Sequence, residues 1–110
     1  MSSLRKMICP ALEYMEEHFY DADFSLRAAI STSNISETYF RRIFKSVYKI
    51  APTEYINNLR VSRAKALLLG TDLSTSEISY MCGFSSEKYF YPVFKKITNT
   101  TPKVWKRENS

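Results

Sequence analysis

The sequence predicts an all-α protein that is built around a duplicated helical module. The pattern S-E-x-Y-F-x-x-(Ile/Val)-F-K occurs twice, once beginning at Ser36 and once beginning at Ser86. In both copies the apolar residues recur with the i, i+3, i+4, i+7 spacing of one helix face. A proline follows each copy at the same distance, at Pro52 and at Pro102. Two copies are too few for a solenoid, so the repeat indicates two related helical modules.

The composition is that of a small globular protein, and its positive charge suits a polyanionic partner. The chain has 110 residues, of which 45% are hydrophobic and 15% aromatic, and a formal net charge of +5. It has neither a membrane-spanning apolar run nor a signal-peptide core, so we expect a cytoplasmic protein that does not enter a membrane. Cys9 and Cys82 lie in unlike contexts, and His18 is the only histidine. Without a nucleophile–base set, a phosphate-binding glycine loop or metal-ligand spacing, we expect no enzyme activity, cofactor or metal.

The first helix is expected over about residues 7–19, where apolar residues form one stripe. Proline kinks a helix interior, so Pro10 places the expected start of regular helix near Cys9. Ser25 can cap a short second helix that runs to about Thr32, because its hydroxyl can accept from unpaired N–H groups.

A tight turn separates this short helix from the first repeated helix. Asn34 suits the turn because asparagine enters the left-handed backbone region more easily than most residues. Ser36 then caps an amphipathic helix that runs to about Tyr48. A short helix, a tight turn and a longer amphipathic helix together predict a helix-turn-helix arrangement.

The longest helix is expected next, over residues 52–69, and at 1.5 Å per residue it would span roughly 27 Å. Pro52 suits its first position and Gly70 suits its end. The second module begins where Ser74 and Glu77 fit a capping box. Gly83 then supplies its turn, the second repeated helix covers about residues 86–98, and a short last helix begins after Thr101.

The outward face of the first repeated helix is basic. A solvated surface is the ordinary explanation of one such face, but a second basic-faced helix in a positively charged chain favours a polyanion-binding protein. A helical protein-interaction module, whose basic faces meet an acidic protein, remains the alternative. The residues that helical spacing places on this face are Thr38, Arg41, Arg42, Lys45 and Lys49.

Over about residues 8–106 the chain resembles the DNA-binding domain of the AraC/XylS family of bacterial transcription regulators. The most specific matches are Gly83-Phe84-Ser85, Tyr89-Phe90, Phe94-Lys95-Lys96 and Thr101-Pro102. The resemblance implies seven helices in one DNA-binding unit over residues 1–110. Two helix-turn-helix subdomains, at about residues 7–51 and 70–107, would be joined by helix 52–69.

The resemblance also implies how the domain meets its partners. Both recognition helices would enter successive major-groove segments on one face of double-stranded DNA, near one duplex turn or roughly 34 Å apart. Family members act with RNA polymerase at promoters, and most carry a separate effector-binding or dimerisation domain. This chain has no room for such a domain, so it would be an excised domain or a stand-alone member.

Roles at the DNA follow by position in the family's pattern. The residues facing base edges would be Thr38, Arg41 and Arg42 in the first module and Glu87, Lys88 and Tyr91 in the second. The residues contacting phosphates would be Ser36, Lys45, Lys49, Ser85, Ser86, Lys95 and Lys96. Arginine can bridge two acceptors of guanine, whereas glutamate can accept from a cytosine amino group.

Two positions in the second recognition helix complicate this assignment. Glu87 could simply be favourable in a helix first turn, and we weigh that explanation slightly above base contact. Pro92 stands where the family often has a polar or basic contact, and it should bend the helix. We therefore expect the first module to read sequence and the second to contribute more phosphate and shape contacts.

Overall fold

The computed structural model describes residues 2–110, and this part of the chain contains α-helices and no strands. The helices are α1 (Ser2–His18), α2 (Leu26–Ser31), α3 (Glu37–Tyr48), α4 (Pro52–Gly70), α5 (Thr75–Met81), α6 (Glu87–Thr98) and α7 (Pro102–Asn109). The predicted all-α architecture is therefore confirmed. None of these helices combines the length and the apolar character of a membrane span.

The chain divides into two compact units. The first comprises Met1–Phe19 and Asp23–Ile56, and the second comprises Tyr20–Ala22 and Asn57–Ser110. Helix α4 crosses the boundary, so its first turn belongs to the first unit and its remainder to the second. The subdomain limits expected from the sequence stay a prediction.

Helix α1 begins earlier than the sequence predicted. It runs from Ser2 through Pro10, so the expected start near Cys9 is wrong. Proline removes the N–H that would bond the carbonyl of Lys6, four residues earlier. Pro10 and Lys6 are both exposed, so the carbonyl left without a partner lies on the solvent side of the helix. The core-facing stripe continues past the proline as Ile8, Ala11, Leu12 and Met15.

The first helix-turn-helix forms as its capping residues predict. Ser25 Oγ accepts from the Ala28 N–H at 3.2 Å, and this bond begins α2. Asn34 has φ 55°, which confirms its left-handed place in the turn between α2 and α3. Phe44 is fully buried, and its ring packs edge-on against the ring of Tyr55 in α4, with 5.4 Å between the ring centroids. Helix α3 is therefore fixed to the core of its unit by its apolar face.

The turn of the second helix-turn-helix is closed by two backbone hydrogen bonds. The capping box of Ser74 and Glu77 is present at the start of α5. At the end of α5 the Phe84 N–H donates to the Ser79 carbonyl, and the Gly83 N–H donates to the Tyr80 carbonyl, both at 3.1 Å. These two bonds make a Schellman motif, which needs a left-handed residue, and Gly83 supplies it with φ 98°.

The apolar residues of the second unit form one core cluster: Val61, Ala64, Leu68, Ile78, Cys82, Phe84, Phe90 and Phe94. Trp105 of α7 packs against this cluster and meets Phe94 edge-on at 6.2 Å. Helix α6 runs through Pro92, which is exposed like Lys88, the residue whose carbonyl loses its partner. The same exposure that permits Pro10 in α1 therefore permits Pro92 in α6.

Both repeated helices end in the same geometry. Lys49 and Asn99 have φ 67° and 66°, and each N–H donates to the carbonyl four residues earlier, at 2.9 and 2.7 Å. Each helix thus ends in a left-handed residue that is not glycine. The duplication therefore extends from the sequence pattern to the backbone conformation at the end of each helix.

Candidate nucleic-acid interface

The predicted contact face of α3 is exposed along its whole length. Its five members are Thr38, Arg41, Arg42, Lys45 and Lys49. The opposite face carries the buried residues Phe40, Ile43 and Phe44. Packing on one side therefore holds a row of hydrogen-bond donors and positive charges toward solvent on the other. The role of these residues at DNA stays a prediction.

Arg41 and Arg42 lie side by side but are held differently. The Arg41 Nε donates to Glu37 Oε2 at 3.2 Å, and the Arg27 Nε lies 3.6 Å from Glu37 Oε1. None of the acidic side chains in residues 2–110 pairs with Arg42. Arg41 is thus pre-positioned by a carboxylate on its own helix, whereas Arg42 is free to adapt its reach to a ligand.

The predicted phosphate contacts of the first unit also have roles within the fold. Ser36 Oγ accepts from the Tyr39 N–H at 3.1 Å, which leaves the hydroxyl proton available to donate to an anion. The Lys49 Nζ donates to the Ser46 carbonyl at 2.8 Å, so this ammonium lies over the last turn of its own helix. Lys49 would have to share or release this bond to contact a phosphate, whereas Lys45 is exposed and needs no such change.

The predicted contact residues of α6 fall into two groups. Ser85, Lys88, Tyr91, Lys95 and Lys96 are exposed, and Ser86 and Glu87 are partly exposed. Ser86 Oγ accepts from the Tyr89 N–H at 3.2 Å and caps the helix as Ser36 does in the first unit. Ser36 and Ser86 thus occupy equivalent places at the start of α3 and α6.

Three polar side chains of the second unit form a closed triangle. Glu87 Oε2 accepts from the Tyr91 phenol at 2.7 Å and from the Thr75 hydroxyl at 2.8 Å, and the two hydroxyl oxygens lie 2.9 Å apart. The Thr75 hydroxyl lowers the pKa of Tyr91, but the bond to the Glu87 carboxylate, burial and that carboxylate's negative charge together raise it. Tyr91 therefore keeps its phenol proton.

Sequence reasoning did not select three residues that the structure places at these faces. Tyr39 and Tyr89 occupy the same position in the two repeats, and their side chains are 40% and 46% exposed. Their place outside the i, i+3, i+4, i+7 core pattern could have indicated this exposure. Thr75 lies in α5, far from Glu87 along the chain, and no sequence signal links the two. Within residues 2–110 no group of three or more histidine, cysteine, aspartate or glutamate side chains is arranged to hold a metal ion.

Comparisons with known proteins are consistent with this geometry. A family model described as a helix-turn-helix domain matches residues 31–108. The xylose operon regulatory protein of Escherichia coli strain K12 is 38% identical over 81 residues, which cover 74% of this chain and 19% of that protein. The chain spans between about a fifth and a third of the length of the curated relatives it matches.

Two solved structures resemble nearly the whole chain. The C-terminal domain of AraT, a response regulator from Geobacillus stearothermophilus, has a TM-score of 0.87 and 28% identity, with coverage of 94% of this chain and 85% of that one. A transcriptional regulator from Chromobacterium violaceum, described among AraC-type DNA-binding domain-containing proteins, has a TM-score of 0.84 and 26% identity. The similarity to the Chromobacterium violaceum regulator extends over 98% of this chain and 96% of that one.

Proposed function

The chain belongs to the AraC/XylS family of helix-turn-helix transcription regulators, and from this membership we propose that it binds double-stranded DNA sequence-specifically. The observation that carries the proposal is the exposed row of polar and basic side chains on α3, backed by fully buried Phe40 and Phe44. An α-helix of this kind fits the major groove, where each base pair presents a distinct pattern of donors and acceptors. Members of this family are regulators and not enzymes.

In this proposal α3 supplies the main base contacts of the first unit. Arg41 and Arg42 carry planar guanidinium groups that can bridge the O6 and N7 acceptors of guanine, and Thr38 lies beside them. Lys45 and Lys49 meet phosphates, and the Ser36 hydroxyl donates to another at the start of the helix. The first unit therefore combines base contacts with the phosphate contacts that fix its register.

Helix α6 supplies the contacts of the second unit. Glu87, Lys88 and Tyr91 face base edges. The phosphate contacts of this unit are Ser85, Ser86, Lys95 and Lys96. We also propose that the two recognition helices occupy successive major-groove segments.

The remaining partners follow from the family. The DNA would be a promoter or operator in the cytoplasm, with RNA polymerase as a further partner. An effector-binding or dimerisation domain would belong to a longer protein or to an associated chain. These statements concern a whole regulator, whereas this chain matches only part of the length of its curated relatives.

Selection of bound duplexes from a random pool, followed by titration of a selected and a scrambled duplex, tests the proposal. We expect one recurring sequence and tighter binding to it than to the scrambled control. If the four lysines 45, 49, 95 and 96 each neutralise one phosphate, the log–log salt slope should be about −3.6 or steeper. Binding without sequence preference would contradict sequence-specific recognition. In a gel mobility-shift titration at low salt, a failure of micromolar protein to shift any duplex would favour a protein-interaction module instead.

A further inference from the structure

The number of protons in the triangle of Glu87, Tyr91 and Thr75 decides which hydrogen bonds it can make to a ligand. The two hydroxyl groups each carry one proton, and an ionised carboxylate carries none. The three oxygen atoms Glu87 Oε2, Tyr91 phenol oxygen and Thr75 Oγ1 lie within 2.7–2.9 Å of one another. Two protons can fill only two of the three contacts: either both hydroxyls donate to Glu87, or one donates to Glu87 and the other donates across the 2.9 Å contact. In either case both protons are used inside the triangle. Only lone pairs remain for a ligand that approaches from outside.

From this arrangement we propose that the triangle is an acceptor-only site, through which α6 selects a base that presents an exocyclic amino group in the major groove. The proposal deepens the proposed function, because it rests on α6 facing DNA. It names cytosine or adenine as the preferred base and assigns Thr75, a residue of α5, as a positioning residue. Thr75 and Glu87 together orient the phenol oxygen of Tyr91. The Tyr91 residue as a whole is 39% exposed.

The selectivity follows from the chemistry of the groove edges. Cytosine N4 and adenine N6 carry N–H donors there, whereas guanine O6 and N7 and thymine O4 are acceptors. An acceptor placed against an acceptor leaves two lone pairs facing each other without a proton between them. Phosphate oxygens are also acceptors, so the triangle disfavours the DNA backbone as well as guanine and thymine. Tyr91 and Glu87 therefore contribute base selection and not phosphate binding.

The first unit shows the same carboxylate position with the opposite polarity. Glu37, like Glu87, is the first residue of its recognition helix, and it binds the side chain four residues later, which is Arg41. It also faces a residue of the preceding helix, Arg27, at 3.6 Å. With Nε bound to Glu37, the outer amino groups of Arg41 still present donors. The residue four positions after the glutamate thus sets whether a unit offers donors or acceptors.

Base analogues test the proposal on the wild-type chain. In a selected duplex, each cytosine is replaced in turn by 2-pyrimidinone and each adenine by purine, because these analogues lack the amino group. We expect about a tenfold loss of affinity at one position in the half of the site that α6 contacts. Equal affinity for parent and analogue at every position would overturn the acceptor-only site.

The substitution Glu87→Gln tests the same idea from the protein side. It keeps the shape of the side chain but introduces an amide that can donate, so the preference at that one position should move from cytosine or adenine toward guanine or thymine. Glu37→Gln is the matched control, because it changes the equivalent residue of the other unit and should leave that position unchanged. A purely structural role for Glu87 would lower affinity for all sequences together, and that result would also overturn the proposal.

Tyr91→Phe provides a second variant that keeps the ring and removes the phenol oxygen. It should reduce the discrimination at the same position several-fold, while affinity for scrambled DNA stays within about twofold, because no charge is lost. Unchanged discrimination would contradict the assignment of Tyr91. If the wild-type chain selects no sequence at all, the proposed function fails together with this inference. If it selects a sequence and no α6-side position responds, only this inference fails.

Discussion

Replacing Arg42 by alanine should reduce sequence discrimination while leaving the fold intact. Arg42 is exposed on α3, and none of the acidic side chains in residues 2–110 pairs with it. The truncation therefore creates no cavity and leaves no buried charge unpaired. Surface changes of this kind alter the free energy of unfolding by about 0.5 kcal/mol or less.

The expected loss of affinity comes from the base contact. A bidentate arginine–guanine pair is worth about 1–3 kcal/mol of discrimination, which corresponds to roughly 5- to 150-fold in the ratio of dissociation constants. Arg41 cannot readily take the place of Arg42, because its bond to Glu37 at 3.2 Å holds its guanidinium at a different position on the helix. We therefore expect Arg42→Ala to lower the discrimination between the two duplexes by an amount within this range, and not by an amount near zero.

The assay is fluorescence anisotropy on the selected duplex and on a scrambled duplex of the same length, at one fixed salt concentration. Arg107→Ala is the matched control, because Arg107 is an exposed arginine of α7 outside the predicted site. The control should lower both affinities only slightly and by the same factor. Equal losses on the two duplexes for Arg42→Ala would refute its role as a base-reading residue.

Three further changes test other parts of the structure. Lys96→Ala should weaken binding to selected and scrambled DNA alike and make the salt slope shallower by about 0.9, since one phosphate contact is lost; a loss confined to the selected site would contradict this. Phe94→Ala should lower the free energy of unfolding by about 3–5 kcal/mol in urea titrations, because this fully buried ring contacts Trp105; a change under 1 kcal/mol would refute its place in the core. Burial raises the pKa of the Cys82 thiol to about 11, so at pH 8 iodoacetamide should label the exposed Cys9 and spare Cys82, and mass spectrometry showing two labels on the folded protein would contradict the burial.

Much of the fold could be predicted because local chemistry marks the helix ends. Ser36, Ser74 and Glu77 form the caps that their residue types indicate, and apolar spacing identifies Phe40 and Phe44 as core residues. The sequence predicts the start of α1 wrongly because Pro10 removes one backbone hydrogen bond, and such a loss often marks the end of a helix. The cost of that missing bond depends on whether the free carbonyl is exposed, and sequence does not show exposure directly.

The candidate site was predictable in outline and not in its pairings. Helical periodicity alone places Arg41 and Arg42 on the outer face of α3. The bond of Arg41 to Glu37 has the helical spacing of four residues and could have been expected. The approach of Thr75 to Glu87 depends on how α5 packs on α6, which is a tertiary contact between residues twelve positions apart.

Apart from Tyr20–Ala22, which belong to the second unit, the chain passes from the first compact unit to the second within α4, between Ile56 and Asn57, and not in a loop. Ile56 packs in the first unit, while Val61 and Leu68 of the same helix pack in the second. A chimera that exchanges one unit for its counterpart from a relative therefore cannot be spliced in a loop at this boundary. Its crossover must lie inside a continuous helix, and both parents must keep the spacing of their apolar residues intact across it.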